Sequence, residues 1–223
     1  MSVAAAAFAS GSGTNLQALL DAEAEGAHFR VALLITDREC GAEDRARARD
    51  IPVARIAFKG RSAEETAAEV LKATRGVDAE IALLAGFLRL VPAAVVRAFP
   101  RRILNVHPAL LPAFGGQGMY GIRVHQAVLA SGACLSGPTV HYVDEHYDEG
   151  TILAQWPVPV LPGDEPEILA GRVLEAEHRL FPAAAHALAR SVTAGTVPRF
   201  RWPGRAVTPF TWQSLTHAFE IDS

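Results

Sequence analysis

The feature that most limits the possible folds of this chain is an alternation of strand-length apolar runs with helix-like stretches. Its first unit is an apolar run over residues 3–9, the glycine turn Gly11-Ser12-Gly13-Thr14-Asn15, and a helical pattern over residues 16–25. Units of the same kind follow, with apolar runs at 31–36, 53–58, 81–85 and 103–106 and helical patterns at 43–50, 62–75 and 92–98. Because strands that alternate with helices pair in parallel through right-handed crossovers, the sequence predicts an α/β fold with a doubly wound, mostly parallel, Rossmann-like sheet.

The rest of the chain is more irregular. After a loop rich in glycine and proline at 112–121, the pattern predicts a helix at 123–130, a strand at 139–143, and an edge strand with prolines at 151–160. The longest helical pattern covers 165–190, where Pro182 allows a break. We therefore predict one domain over residues 1–190 and a short C-terminal extension over 191–223.

Composition excludes several classes of protein. Of the 223 residues, 50% are hydrophobic and 20% are charged, which excludes a disordered chain. The 21 Lys and Arg against 24 Asp and Glu give a net charge of −3, so the chain has no net positive field with which to coat nucleic acid. No stretch approaches the roughly 20 apolar residues of a membrane span. We expect a soluble protein that binds neither nucleic acid nor membranes.

The cysteines and the N-terminal run bear on the compartment. Cys40 and Cys134 are far apart and form no CxxC pair, which favours a reduced, cytoplasmic location over a disulfide framework or a zinc ribbon. The apolar start has no Lys or Arg before Arg30 and is followed at once by glycines. It therefore suits a buried strand better than a signal peptide.

The glycine turn is the first candidate site. Between a strand and a helix, its backbone N–H groups and the helix dipole point at one spot, which suits an anion. The spacing is not GxGxxG, because Leu16 stands at the third glycine position, and no Gly-Lys-Ser/Thr follows as in a P-loop. A phosphate monoester is the better ligand for such a turn. A plain connection between strand and helix fits these residues equally well.

The second candidate site is Asn105-Val106-His107-Pro108, at the carboxyl end of a predicted strand. Alternation along the strand points Asn105 and His107 the same way and Val106 into the opposite layer. A neutral amide donor beside an ionisable imidazole suits oxyanion binding and acid–base work in acyl chemistry. A buried histidine with a satisfied hydrogen bond is the alternative.

The third candidate is the acidic loop at 144–150, which follows the predicted strand at 139–143. A carboxylate near His107 is expected to raise the imidazole pKa and favour its protonated form. For Glu145 and Glu149 a solvated acidic turn is the better interpretation. The spacing of His107, His141 and His146 matches no recurrent zinc motif, so we expect no metal.

Taken in order, these pieces resemble the phosphoribosylglycinamide formyltransferases, the folate-dependent formyltransferase family of purine biosynthesis. The matching stretches are GSGTNLQ at 11–17, LAGFLR at 84–89, NVHPALLP at 105–112, and 136–150, which begins SGPTVH and ends Asp148-Glu149-Gly150. They lie in register from residue 3 to about 190. The chain departs from the family in its alanine-rich first strand, in Asp148-Glu149-Gly150 where Asp-Gly-Gly is usual, and in a longer, glycine-rich loop at 114–121.

The resemblance implies a formyltransferase-type fold and transfer of the formyl group of 10-formyltetrahydrofolate, the cosubstrate, to the amine of 5-phosphoribosylglycinamide (GAR), without a metal. The catalytic residues that it implies are Asn105, His107 and Asp148. The implied GAR-binding residues are Gly13, Thr14, Asn15, Leu16, Gln17 and Glu177. The implied folate-binding residues are Arg61, Leu88, Arg89, Leu90, Val91, Asn105, Asp144, Glu145, His146, Tyr147 and Asp148. On this basis Asn105 and protonated His107 are expected to hold the oxyanion, with Asp148 favouring the imidazolium.

Other functions stay open at this point. Methionyl-tRNA formyltransferase carries a further nucleic-acid-binding domain, for which we expect no room after residue 190. Formyltetrahydrofolate deformylase carries a regulatory domain before the catalytic one, whereas here the first motif begins at residue 11. A formyltetrahydrofolate hydrolase and an inactive folate- or nucleotide-binding module are the remaining alternatives, and the glycine spacing weakens a dinucleotide-binding domain. We expect small-molecule partners only, GAR and folate, and a monomer or homodimer.

Overall fold

The computed structural model describes residues 2–200 and the backbone of residues 219–221. Its strands are β1 (Val3–Ala9), β2 (Phe29–Thr36), β3 (Val53–Arg55), β4 (Ile81–Leu84), β5 (Ile103–His107), β6 (Leu135–Ser136), β7 (Thr139–Tyr142), β8 (Ile152–Gln155), β9 (Val158–Pro159), β10 (Pro198–Phe200) and β11 (Phe219–Ile221). Its helices are α1 (Thr14–Ala24), α2 (Gly41–Arg47), α3 (Ala63–Arg75), α4 (Ala93–Ala98), α5 (Ile122–Ser131) and α6 (Pro166–Ala194).

Seven strands form the main sheet, in the order β3-β2-β1-β4-β5-β7-β8. The first five are parallel to their neighbours, whereas β7 runs antiparallel to β5 and β8 antiparallel to β7. This confirms the predicted mostly parallel, doubly wound sheet. The strand order reverses between β1 and β4, and in sheets of this kind such a reversal opens a crevice at the carboxyl ends of the two strands.

Two apolar layers cover the sheet. Ala5, Ala7 and Ala9 of β1 belong to the cluster on the face covered by α1 and α6, together with Ala183 and Ala184 of α6. On the other face, the alternate β1 residues Ala6 and Phe8 join the cluster beneath α3 and α4. The alanine-rich first strand is therefore buried on both faces, and its small side chains suit close packing against the alanines of α6.

Two helical signals in the sequence have different outcomes. Ser62 caps α3 as its spacing predicts, because its hydroxyl accepts from Glu65 N while the Glu65 carboxylate accepts from Ser62 N. The break allowed at Pro182 does not occur, since α6 continues through it to Ala194. Proline removes one helical hydrogen bond, but Phe181 and the alanines that follow Pro182 are buried in the core, which stabilises the helix there.

The strand predicted at 151–160 is wrong as a single element. Its first part, β8, joins the main sheet, whereas β9 pairs with β6 in a separate two-stranded sheet. Pro157 lies between them and has no N–H to continue the ladder, so the chain changes sheets there. The strand predicted at 53–58 is also shorter, since β3 ends at Arg55.

The division of the chain at residue 190 stays a prediction. Helix α6 runs past that point to Ala194, and β10 then pairs antiparallel with β11. The rest of the predicted extension, residues 201–218, 222 and 223, lies outside the described residues. Within the described part of the chain, no helix is both long and apolar enough to cross a membrane.

Candidate active site

A cavity of about 660 Å³ lies at the carboxyl ends of the central strands, within the usual size range of ligand sites. Five residues from four separate parts of the chain meet in it: Asn15, Asn105, His107, Asp148 and Glu177. The structure thus brings the three predicted catalytic residues together with two of the predicted GAR-binding residues.

The side-chain amide of Asn105 is held in one orientation. Its Nδ2 donates to Nε2 of His141 at 3.0 Å and lies 3.4 Å from Oδ1 of Asp148. His141 Nδ1 lies 2.9 Å from the carbonyl oxygen of Tyr142. Because a carbonyl oxygen only accepts, Nδ1 carries the proton and Nε2 is the acceptor for Asn105.

His107 is buried, and both of its ring nitrogens have neighbours. Nε2 donates to the carbonyl oxygen of Phe114 at 2.8 Å, and Nδ1 lies 3.4 Å from Oδ2 of Asp148. Burial lowers the pKa of His107, while Asp148 and the Phe114 carbonyl oppose that shift. The net direction is downward, so the expected rise of the His107 pKa is wrong. The cost of placing a cation in the interior outweighs the attraction of the carboxylate.

Asp148 is held as a carboxylate. Its Oδ2 accepts from Gly116 N at 3.0 Å. Burial raises the pKa of Asp148, but the neighbouring imidazoles of His141 and His107 and the hydrogen bond from Gly116 N together hold it below its usual value. Gly150 lets the loop that carries Asp148 pack closely against Tyr142, because a Cβ at position 150 would collide with the Tyr142 carbonyl oxygen.

The glycine turn leaves the start of α1 open. Gly13 is the N-cap residue, with φ +74°. Among the described residues no side chain caps the helix, and the first turn contains no acidic residue. A Cβ on Gly13 would lie 2.6 Å from Cα of Ala42, so the turn is packed directly against α2. In the described part of the chain, the first-turn N–H groups of α1 therefore have no side-chain acceptor, as an anion site requires.

Asn15 and Glu177 form a buried contact between α1 and α6. Asn15 Nδ2 donates to Glu177 Oε2 at 2.6 Å. Burial raises the pKa of Glu177 to about 7, and the hydrogen bond from Asn15 opposes that rise. Near neutral pH this carboxyl group is poised between its neutral and charged forms.

Other residues predicted to bind GAR lie around the same turn. Leu16 is fully buried in the core, so its side chain is not available to a ligand. Thr14 and Gln17 line a separate groove beside the turn.

The predicted folate segment at 88–91 is divided. Leu88 lines the main cavity, and its N–H donates to Ser10 Oγ at 3.0 Å. Arg89 pairs with Asp37, with its Nε 2.7 Å from Oδ2. Leu90 is exposed and Val91 is buried in the core.

The predicted folate loop at 144–148 is divided as well. Tyr147 lines the cavity with Asp148. The other three residues of this loop, Asp144, Glu145 and His146, do not line the cavity. Asp144 accepts from His146 N at 2.9 Å, and Glu145 pairs with Arg97 at 3.1 Å.

Arg61, the remaining residue predicted to bind folate, pairs with Glu69 of α3 at 2.7 Å and does not line the cavity.

Two histidines at the site were missed as site residues. His141 lies opposite Asn105 in the β5–β7 register, and only the antiparallel pairing of these strands brings the two together. His125 of α5 lines the cavity, and its Nδ1 is buried without a hydrogen-bond partner in the described part of the chain. Burial lowers the pKa of His125, and His107 lowers it further. Among the described residues, no group of three or more His, Cys, Asp or Glu is placed to hold a metal ion.

Comparison with known proteins gives consistent results. The family described as "Formyl transferase" matches residues 3–185. The chloroplastic phosphoribosylglycinamide formyltransferase of Vigna unguiculata is 47% identical over 188 residues, covering 82% of this chain and 60% of the relative. The chain thus spans about three fifths of the length of the plant relatives it matches.

Two further relatives match along nearly their whole length. Phosphoribosylglycinamide formyltransferase of Mycobacterium tuberculosis (strain CDC 1551 / Oshkosh) is 40% identical over 205 residues, covering 90% of this chain and 91% of the relative. The crystal structure of glycinamide ribonucleotide transformylase 1 from Symbiobacterium toebii superposes with a TM-score of 0.79 at 37% identity, covering 92% of each chain.

Proposed function

The chain belongs to the formyl transferase family, and from this membership we propose that it transfers the formyl group of 10-formyltetrahydrofolate to the amine of GAR. The products are formyl-GAR and tetrahydrofolate, in de novo purine biosynthesis. The observation that carries the proposal is the convergence of Asn105, His107 and Asp148 in one large cavity next to an uncapped helix start. The names of the relatives point to the same acceptor.

We assign the acceptor to the side of the cavity formed by α1 and α6. Its phosphate is proposed to accept hydrogen bonds from the turn, with Gly13, Thr14, Asn15, Leu16 and Gln17 as the binding segment. Glu177 reaches the same cavity and would accept from the hydroxyl or amine groups of the acceptor. Its contact with Asn15 would keep both side chains in place for that task.

The folate is assigned to the side of the cavity formed by Leu88 and Tyr147. Apolar side chains of Met119, Ile122 and Leu174 line the same cavity, which suits a planar ring system. Roles for Arg61, Arg89 and Asp144 in folate binding stay predictions, because these side chains pair elsewhere in the structure.

In the proposed mechanism, attack of the amine on the formyl carbon moves negative charge onto the formyl oxygen. Asn105 Nδ2 and His107 Nε2 are the proposed donors to that oxygen. Asn105 would use the N–H that now points at Oδ1 of Asp148, at the longer distance of 3.4 Å, and would keep its hydrogen bond to His141. The formyl oxygen would replace the Phe114 carbonyl oxygen, which accepts from His107 Nε2 in the structure, as the acceptor of that N–H. Negative charge there would favour a protonated imidazole, and the added proton would lie on Nδ1, facing Asp148. Asp148 would then accept the proton that the amine loses, directly or through a water molecule. As the tetrahedral species collapses, the bond between the formyl carbon and the folate nitrogen breaks, and this proton passes to that nitrogen to give tetrahydrofolate.

The proposal is tested by turnover of the purified protein with GAR and 10-formyltetrahydrofolate, followed by the absorbance change of the folate product. We expect product only when GAR is present. Deformylation without GAR would indicate a hydrolase instead. Binding of folate without any reaction would indicate an inactive binding module.

The compartment and the assembly belong to the same proposal. Cys40 and Cys134 are both free thiols, which is consistent with a reducing compartment, and we propose the cytoplasm. The ligands that we propose are small molecules, and either a monomer or a homodimer is compatible with a cavity built within one chain.

A further inference from the structure

A second groove, of about 350 Å³, lies beside the glycine turn. Thr14 and Gln17 line it from α1, Arg45 from α2, and His178 and Arg179 from α6. Asn15, in the same first turn of α1, lines the main cavity instead. The proposed phosphate site therefore has the catalytic cavity on one side and a groove with basic side chains on the other.

The packing of α2 places Arg45 at this groove. Ala42 N donates to the carbonyl oxygen of Gly11 at 3.1 Å, and the absence of a side chain on Gly13 lets Ala42 lie against the turn. Arg45 follows one helical turn after Gly41, which starts α2. Its side chain reaches back so that Nε donates to Ser12 O at 2.9 Å and Nη1 donates to Gln17 Oε1 at 3.1 Å.

These two hydrogen bonds hold the guanidinium of Arg45 at the turn and leave some of its N–H donors available. An arginine side chain has five N–H donors, and the bonds to Ser12 and Gln17 take two of them. In the same groove, Nε2 of His178 is buried and has no hydrogen-bond partner in the described part of the chain. Both features suit an anionic ligand rich in acceptor oxygens.

The carboxylates of the groove lie away from this end. Asp21 is seven residues along α1 from Thr14, which corresponds to about 10 Å of helix. It already accepts from Gln17 Nε2 at 2.8 Å and lies 3.6 Å from Arg49. The groove is therefore positive near the helix start, where the dipole of α1 also favours an anion.

We propose that Arg45 binds the phosphate of the acceptor, adding its guanidinium to the N–H groups of the glycine turn. This inference rests on the proposed function, which assigns a phosphate monoester to that turn. It adds the side chain that selects a phosphorylated acceptor over its dephosphorylated form. A guanidinium pairs with two phosphate oxygens at once, which a lysine ammonium does not reproduce.

The test compares Arg45→Ala with the wild-type protein on two acceptors, GAR and the same compound without its 5′-phosphate. With GAR we expect the KM to rise about 10- to 100-fold, the cost of one or more charge-assisted hydrogen bonds. The kcat at saturation and the KM for 10-formyltetrahydrofolate should change less than about threefold, because Arg45 does not line the catalytic cavity. With the dephosphorylated acceptor the variant and the wild type should be equal. Arg45→Lys should be intermediate.

Arg49→Ala is the matched control. It removes a positive charge just after α2 at a residue that does not line the groove, and we expect no change in the KM for GAR. An equal loss on both acceptors would mean that Arg45 supports the site in general and does not bind the phosphate, and it would overturn the proposal. An unchanged KM for GAR in Arg45→Ala would overturn it as well.

A failure of the proposed function is distinguishable from a failure of this inference. If the wild-type protein transfers no formyl group to either acceptor, the proposed function is wrong, and binding of ribose 5-phosphate by calorimetry then decides the role of Arg45. Binding that weakens about 10-fold or more in Arg45→Ala would support the inference. Equal binding by the two proteins, or none by the wild type, would overturn it.

Discussion

Asn105 and His141 face each other across β5 and β7, with Nδ2 of Asn105 3.0 Å from Nε2 of His141. The carbonyl oxygen of Tyr142 fixes the proton of His141 on Nδ1, so Nε2 can only accept. The amide nitrogen of Asn105 is thereby turned toward His141 and Asp148. A histidine outside the predicted catalytic set thus determines which end of the Asn105 amide faces Asp148.

Replacing His141 should therefore impair catalysis through Asn105. We expect His141→Leu to lower kcat about 10- to 100-fold with little change in either KM, because a misoriented amide no longer donates where charge develops. Steady-state kinetics with both substrates, on a variant shown by circular dichroism to be folded, measures this. A rise in KM at an unchanged kcat would show instead that His141 serves binding.

The proposed oxyanion donors should be sensitive to truncation. Asn105→Ala and His107→Ala are each expected to lower kcat by about 10²–10³, the usual cost of losing one such donor. Substrate affinity should change far less, since these bonds strengthen only as charge develops on the formyl oxygen. Single-turnover rates at saturating substrates provide the measurement. Turnover near the wild-type level in either variant would remove that residue from the mechanism.

Much of this site could be predicted from local sequence. The alternation of strands and helices predicts the parallel sheet, and in such sheets the carboxyl ends of the strands meet at one edge. Asn105, His107 and the glycine turn all occupy such ends, and their types indicate the chemistry. The Ser62 cap of α3 is predictable for the same reason, because it depends on residues three apart.

What could not be predicted depends on packing between distant segments. The pairing of His141 with Asn105 requires the antiparallel register of β7 on β5, which no local pattern specifies. The downward shift of the His107 pKa depends on how deeply the ring is buried, whereas sequence shows only that a carboxylate is available nearby. Arg45 approaches the turn only because Gly13 and Ala42 leave room for α2.

Glu177 gives a prediction about stability and pH. Its pKa is about 7 in the folded protein and near 4.5 without burial, so between these values the native state binds more protons than the unfolded state. The contribution of Glu177 to the free energy of unfolding should therefore be fully present below pH 4.5 and should be lost as the pH rises through about 7. The loss is on the order of 3 kcal/mol, reduced by any rearrangement around the charge.

The Glu177→Gln variant isolates this contribution. It keeps an acceptor for Asn15 but cannot ionise, so urea unfolding at pH 5 and pH 8 should show a smaller loss of stability than in the wild type. The same variant should weaken GAR binding if the carboxylate contacts the acceptor. If the free energy of unfolding changed by the same amount between pH 5 and pH 8 in the two proteins, Glu177 would not be a buried ionisable group with a raised pKa.

Gly13 tests the glycine turn itself. Gly13→Val places a branched side chain at φ +74° and within 2.6 Å of Ala42, which must push α2 away from the turn. We expect a marked rise in the KM for GAR, because the N–H groups at the start of α1 and the guanidinium of Arg45 both move. The affinity for folate should stay near the wild-type value, since Leu88 and Tyr147 lie in other loops. Gly163→Ala is the control, because it introduces a side chain at a similar φ of +81° with no described atom within 4 Å. If folate binding rather than GAR binding is lost in Gly13→Val, the phosphate role of the turn is wrong.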